Sequence, residues 1–410
     1  VSVDPDLIAP WAGAVEDLVR GALRHVYSVR IWQDTAQAPT YLPVKVTACE
    51  VSFDEFWSPY VQGSLTAVLP DDATLAKLDP RLLVVVEVSA GYVLPGGVSD
   101  SHLMCKALLS RRTVNYPANE VVLEFQGLEY AFDRAEAEED GGGPQGLSPG
   151  GYWDTNTTAA AAIGHVYQAC GFSAVSFAAL RVEEGIGGLS GWVDPGQQWT
   201  GKAGDNYLDI ARDIADRVEG WLRVDEFGTL LFTGRTVGGK PASHRLRVGA
   251  DGTVITVADT LSRDDWANFA YVRYEWTTKT TSGGVTTEVQ KTASAWASAT
   301  GAYDPVNVGK VGVSEIRQMM GSQVQASFAA PALLKRYLIR ATSLSVQAIA
   351  AYWLRPDDGV SVALPTGPEV AYRVSAVSFN LDDGSMAIRT RTPDPGPTRP
   401  KPDPIPVTGL

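Results

Sequence analysis

The sequence predicts an α+β chain that is mostly β, with two strand-rich parts flanking a small α+β unit. Three observations carry this. Apolar residues alternate at period two from Val26 to Arg134. The period becomes helical after Asp205, where Tyr207, Ile210, Ala211, Ile214, Ala215 and Val218 recur on one face. Alternation then returns in TVITVADTL and persists, with one helical interruption, to MAIRTRT.

Taken in order, Pro10–His25 (PWAGAVEDLVRGALRH) has helical spacing at Val15, Leu18, Val19 and Leu23, so residues 1–25 read as an arm and a helix. In 26–135, six runs rich in Val, Leu, Thr and aromatics follow: VYSVRIWQ, VKVTACEVSF, GSLTAVLP, RLLVVVEVSA, HLMCKALLSRRTV and EVVLEFQGLEYAF. Pro39, Ser58-Pro59, Gly96-Gly97 and Tyr116-Pro117-Ala118-Asn119 separate them, the spacing of an antiparallel sandwich or small barrel. Residues 136–150 are acidic and rich in Gly and Pro, too poor in apolar side chains to pack, and read as a loop.

Residues 151–248 predict two helices and a hairpin. The first helix is capped by Asp154 or Thr155 and stopped at Gly171. The second has Asp205 as its cap and ends at Gly220, and WLRVDEFGTLLFTG turns back on itself at Glu226–Gly228. In 249–392, TVITVADTL and NFAYVRYEW are strands. A polar stretch, 277–294, separates them from a helical run containing PALLKRYLIRATS, where Pro331 suits a first turn. VQAIAAYWL, GVSVALP, VAYRVSAVSFNL and MAIRTRT close the chain as strands, with Asp382-Asp383-Gly384 as a hairpin turn. Residues 393–410 include seven prolines and read as an extended tail.

Composition narrows the function classes. Hydrophobic residues make up 45% of 410, which excludes wholesale disorder. With 34 basic and 47 acidic residues the net charge is −13, so a basic nucleic-acid-binding surface is not expected. No run of about 18 apolar residues offers a membrane span, and Val1–Pro10 lacks the pattern of a secretory signal. Cys49, Cys105 and Cys170 are odd in number and far apart, which suits buried free thiols in a soluble protein made in a reducing compartment.

No catalytic, cofactor or metal residues are assigned. Gly196-Gln-Gln-Trp-Thr-Gly201-Lys202 has phosphate-loop spacing, but Ala203 stands where a hydroxyl must reach magnesium, so it reads as a loop. His25, His102, His165 and His244 have no second ligand at metal-pair spacing, and no G-x-S-x-G elbow occurs. The carboxylate pairs Glu183-Glu184 and Asp225-Glu226 would be needed for an envelope hydrolase, but adjacent acids on loops and turns are ordinarily solvated. Trp32, Trp221, Trp276 and Trp353 sit in alternating runs and read as core-packing or interface residues. Trp192 and Trp199, on a Gly-rich stretch, read as surface contacts.

Three stretches together resemble the tail hub (baseplate hub) proteins of tailed bacteriophages, called minor tail proteins in the long non-contractile tails of siphophages. They are VKVTACEVSFDEFWSPYVQGSLTAVLP with the following DPRLLVVVEV, then GKAGDNYLDIARDIADRVEGWLRVDEFGTLLF, then ADTLSRDDWANFAYVRYEW with the closing VSFNLDDGSMAIRTRT. The resemblance implies two tail-tube-like antiparallel β-barrels, 26–135 and 249–392, with the α+β domain between them. It implies a non-enzymatic virion protein at the tail tip, assembled in the host cytoplasm, whose homotrimer continues the tube and lines the DNA exit channel. The implied partners are the distal tail or tail tube protein, the tape measure protein, and tip fibre or receptor-binding proteins. DNA would be met only in transit. A cell-envelope hydrolase and a distal tail protein with carbohydrate-binding character are the alternative readings. After Thr392 the sequence reads PDPGPTRPKPDPIPVTGL; if these 410 residues are the full product, a hub of this kind would leave envelope penetration to another protein.

The charge distribution bears on the channel. Segment 26–135 carries 8 basic and 13 acidic residues, 136–249 carries 9 and 15, and 250–395 carries 13 and 14. Duplex DNA carries about one negative charge per 1.7 Å of axis. Acids facing a lumen would keep it from sticking, whereas acids on the outer surface would simply keep the protein soluble.

Overall fold

The computed structural model describes residues 24–33, 40–55, 57, 59–94, 97–133, 159–169, 178–182, 206–217, 220–234, 242–249, 252–261, 266–282, 285–317, 321–338, 342–364 and 369–391. All six predicted strands of the opening part form. They are β1 (Arg24–Gln33), β3 (Val46–Asp54), β4 (Val61–Val68), β5 (Val84–Val93), β6 (Ser99–Asn115) and β7 (Glu120–Gly127), with a two-residue β2 (Thr40–Tyr41) beside β1. Arg24 and His25 open β1, so the predicted helix over Pro10–His25 does not include its last two residues; the remainder lies outside the described residues. A short helix, α1 (Asp72–Lys77), starts where the Asp71 carboxylate accepts the Thr74 N–H at 2.8 Å. After β7 comes one helical turn, α2 (Tyr130–Asp133).

The middle of the chain gives α3 (Ala159–Ala169), β8 (Ala178–Val182), α4 (Tyr207–Arg217), β9 (Gly220–Val224) and β10 (Thr229–Gly234). Tyr207, Ala211, Ile214 and Ala215 are buried, as their spacing predicts. The cap of α4 is Asn206, whose side-chain oxygen accepts the N–H of Leu208 at 2.8 Å; Asp205, like Asp154 and Thr155, lies outside the described residues. β9 and β10 form the predicted hairpin. Its turn places Gly228 at φ +88°, a backbone region that β-carbons disfavour. β10 also pairs in parallel with β8.

The rest comprises β11 (Ala242–Arg247), β12 (Val254–Leu261), β13 (Phe269–Ser282), β14 (Val285–Ser298), α5 (Pro305–Val308), β15 (Gly312–Arg317), α6 (Gln323–Leu338), β16 (Thr342–Ile349), β17 (Gly359–Ala363), β18 (Val370–Asn380) and β19 (Ser385–Arg391). Two sequence expectations are corrected here. The polar stretch 277–294 is no spacer: it forms the far halves of β13 and β14, paired from Phe269↔Ser298 out to Ser282↔Val285. Threonine's branched β-carbon favours strands, and a polar ribbon needs no core to bury it. Pro331 is not in a first turn either, because α6 begins at Gln323. Ser322 and Gln325 start the helix as a reciprocal capping box, Ser322 Oγ accepting the Gln325 N–H at 3.1 Å and Gln325 Oε1 accepting the Ser322 N–H at 2.7 Å.

Thirteen strands make one sheet, in the order β2-β1-β5-β6-β7-β4-β3-β18-β19-β16-β12, with β17 and then β11 branching from β18. Neighbours are antiparallel throughout except β11–β17, which run parallel. A single apolar core follows this sheet across both strand-rich parts, from Val51, Phe53 and Phe125 to Val346, Val377 and Phe379. A second core lies under α3, α4 and the β8-β10-β9 sheet and takes Trp32, Val85 and Leu108 from the opening part. The third belongs to an insert between β12 and β16. There β14-β13-β15 pack on α6 through Ala293, Ala295 and Ala297 against Ala326, Ala329 and Ala330, small residues that allow close approach.

Candidate functional site: the seam between the strand-rich parts

The chain brings its most distant segments together along one seam. There Glu50–Asp54 of β3 pair antiparallel with Ala376–Asn380 of β18. The pattern of each strand dictates what meets. Alternate residues turn Phe53 and Phe379 into the core, with ring centroids 6.2 Å apart edge to face. The intervening residues turn outward, where Ser52 Oγ donates to Ser378 Oγ at 2.8 Å.

At one end of the seam sits a half-buried ionic cluster. Arg389 pairs with Asp54 across 335 residues of sequence. Arg391 lies 3.0 Å from Glu55 and 3.4 Å from Asp357, and Arg373, 1% exposed, pairs with Asp357. Three guanidiniums thus face three carboxylates. Burial raises the Glu55 carboxyl above its ordinary range although Arg391 and Arg373 oppose this. Burial, and Arg391 beside it, bring Arg373 down to about 10, which leaves it charged at neutral pH. Asp357 holds a left-handed backbone, φ +80°, fixed by its N–H donating to the Val374 carbonyl at 2.8 Å. A buried pair of this kind sets geometry more than it adds stability.

At the other end, β1 meets the β18–β19 turn and the segment after β16. His25 Nδ1 is 3.0 Å from the Tyr352 hydroxyl, Tyr27 donates to Asp382 at 2.7 Å, and Tyr92 donates to the Ala350 carbonyl at 2.5 Å. Gly384 closes this contact: at φ +68°, a β-carbon on it would stand 2.3 Å from the His25 ring.

The α+β unit is held to the opening part by a buried acid. Glu129, 2% exposed just after β7, accepts the Val224 N–H of β9 at 2.9 Å. Desolvation pushes its carboxyl up to about 7, partly countered by backbone N–H donors and Arg223. Arg223 itself lies over the Trp221 ring, 4.5 Å from its centroid, and Trp221 meets Tyr60 edge to face at 5.6 Å. Asn206 Nδ2 donates to the Asp133 carbonyl at 2.6 Å, tying α4 to the end of α2.

These side chains hold segments together, and two residues singled out in the sequence, His25 and Trp221, are among them. The Asp225 carboxylate serves its own turn, accepting the N–H of Phe227 at 2.9 Å and Thr229 at 2.7 Å. His102 pairs with Asp100 at 2.7 Å on β6, and His244 packs edge to face on Trp353. Cys49 and Cys105 are buried free thiols, and burial raises both, Cys105 to about 12, which suits packing and not attack. Trp32 and Trp221 are buried, as their alternating runs predict. Among the described residues no group of three or more His, Cys, Asp or Glu could hold a metal ion, and no helix is long and apolar enough to cross a membrane. The side chain of His165, and the whole of Cys170, Glu183, Glu184, Trp192, Trp199 and the Gly196–Lys202 loop, lie outside the described residues. The seam cluster and Glu129 carry no local sequence signal: its acids and bases are 16 to 336 residues apart, and Glu129 reads as one polar position in a strand pattern.

No family model matches the chain, and no curated protein matches it. Solved structures do. The fold is that of phage tail proteins. The 43 kDa tail protein of prophage MuSo2 from Shewanella oneidensis superposes with a TM-score of 0.58 at 12% identity, over 90% of this chain and 99% of its own. The tail protein from Neisseria meningitidis MC58 gives 0.56 at 13% identity, over 89% and 96%. The prophage tail protein gp18 from Listeria monocytogenes EGD-e gives 0.51 at 10% identity, over 90% and 95%.

Proposed function

We propose that the chain is a structural component of a phage tail: the hub at the tail tip, where a homotrimer joins the tail tube to the tip or baseplate and surrounds the DNA exit channel. The observation that carries this reading is the seam, which fuses two strand-rich parts into one sheet, antiparallel except at β11–β17, within a fold shared over 90% of this chain with a prophage tail protein. In this reading each strand-rich part is a tube-like barrel, 26–135 and 249–392, and three chains supply six barrels to a sixfold tube. The long non-contractile tail, the distal tail or tube protein above, the tape measure protein inside and the fibre or receptor-binding proteins around the tip belong to the same proposal. So does the virion tail tip as its location after assembly in the host cytoplasm.

The role is mechanical, with no enzymatic step assigned. Supporting this, four acids serve the fold: Asp225 caps its turn, Glu129 holds β9, and Glu55 and Asp357 hold arginines. The experiment is gold labelling of purified tails with an antibody to the chain. Label confined to one tip is expected, and label along the whole tube or absent from tails contradicts the reading.

A further inference from the structure

The insert buries one face of its sheet and presents the other. On β13, Ala270, Val272 and Tyr274 pack with α6 in the third core, and the alternate residues turn away from it. There Phe269 lies between Ser298 and Gly312 of the neighbouring strands, and Tyr271 between Trp296 and Ser314. The three aromatic residues are half-buried and belong to none of the three cores. Small residues border them, and a β-carbon on Gly312 would meet only Phe269, at 3.8 Å, which leaves a step beside the rings. Charge on this face is settled within it: Arg273 pairs with Glu275 at 2.8 Å, and Lys310 lies 3.4 Å from the Phe269 centroid. What such a face selects is another set of rings.

Strand register brings one segment of this chain to the root of the insert. Ser345 of β16 stands across from Arg389 of β19, and Ser343 across from Thr260 of β12, so Arg391 comes level with Ser343 and Thr260. The Leu344 N–H, donating to Thr390 Oγ1 at 3.2 Å, fixes that alignment. The insert leaves the sheet after Leu261 and returns at Thr342, at this same end. Segment 393–410 therefore starts one strand from one stem of the insert and two from the other, about 5 and 10 Å. Arg391, held by Glu55 and Asp357 in the ionic cluster, anchors its start. Tyr271 is ten residues past Leu261, at most about 36 Å from that stem. Eighteen residues of polyproline II helix span about 55 Å, so the segment reaches the rings whatever path β13 takes.

Its composition suits them. Seven prolines occur in 393–410, with P-x-x-P spacing in Pro397-Thr398-Arg399-Pro400. Segments of this kind dock on aromatic surfaces because their extended conformation is already set and little freedom is lost. A short tether adds an effective concentration of roughly millimolar, enough to hold a weak contact. We propose that segment 393–410 folds back onto the outward sheet face of its own insert and covers Phe269, Tyr271 and Trp296. Any partner of that face must first displace it. The contact lies within one chain and stands or falls apart from the hub reading.

The test uses the full chain. Hydroxyl-radical oxidation of Tyr271 and Trp296, read by mass spectrometry, is compared between wild type and Pro397→Ser/Pro400→Ser/Pro402→Ser/Pro404→Ser. Tyr116, 73% exposed between β6 and β7, serves as the reference. Oxidation of both rings is expected to rise severalfold in the variant while Tyr116 stays the same. The segment is also read from its own side, by the amide resonances of Thr398, Lys401 and Val407. These should be broad in wild type and sharp in Tyr271→Ser/Trp296→Ser, with unchanged circular dichroism. The proline variant changes no residue of any core, so its result stands even where the double variant is unstable. Equal oxidation in wild type and the proline variant, or sharp resonances in wild type, overturns the proposal. Protection that disappears on dilution assigns the cover to a second copy's segment and overturns docking within the chain.

Discussion

At Gly384 one missing β-carbon joins two ends of the chain. Its φ of +68° and the His25 ring 2.3 Å from the would-be β-carbon make alanine doubly unfavourable there. Gly384→Ala is expected to cost roughly 1–3 kcal/mol of unfolding free energy, combining left-handed backbone strain with the clash. His25→Ala should recover the clash but not the strain, so a double-mutant cycle should show coupling of about 1 kcal/mol. Glu129 gives a second test, through pH. Its folded pKa of about 7 lies above the ordinary 4.5, so the unfolded chain releases that proton first as pH rises. Between those values the folded state holds more protons, and stability falls with rising pH, by at most about 3 kcal/mol from this group. Glu129→Gln should flatten that part of the pH dependence of chemical denaturation; an unchanged slope would place the carboxyl at an ordinary pKa. Neither residue announces itself in the sequence. DDG marks a turn there, but nothing local says that a histidine more than 350 positions earlier will rest on its glycine.

Between elements, the seam decides how the molecule behaves. β3 and β18 share five residue pairs, Glu50–Asp54 with Ala376–Asn380, and the core runs through them without a break. The two strand-rich parts should therefore unfold as one unit. Phe379→Ala, which empties a fully buried site facing Phe53, is expected to cost about 3–5 kcal/mol and to shift the midpoint of that single transition. Separate transitions for the two parts, seen by calorimetry, would contradict a shared core. Much at this scale was legible. The six opening strands, the α4 stripe and both hairpin turns follow from period, branching and turn chemistry, which are local. The pairing of β3 with β18 is not local, and edge choice among many strands of like pattern leaves no mark in either one. Of the β13–β14 ribbon the sequence shows only the NFAYVRYEW half of β13, because 277–294 is mostly polar. Pro331 does not mark the start of α6, because the Ser322–Gln325 box begins the helix eight residues before it. The ionic cluster of Asp54, Glu55 and Asp357 with three arginines was invisible for the same reason as the seam that creates it.

For the whole molecule, the charge balance and the fold point the same way. In the hub reading proposed above, the acidic balance of the chain suits a conduit that DNA passes without binding. The acidic excess in 26–249 belongs, on this account, partly to the channel wall; a basic lumen in an assembled ring would contradict that part. What unites seam and charge is the proposal that the chain works as one of a small set of copies at the end of a tube. The most direct test is the copy number of the chain per tail, measured by quantitative mass spectrometry on purified virions against the major tube protein. Three copies per tail are predicted. Six would turn the reading to a distal tail protein, and a number that scales with tail length, or none, would contradict the hub.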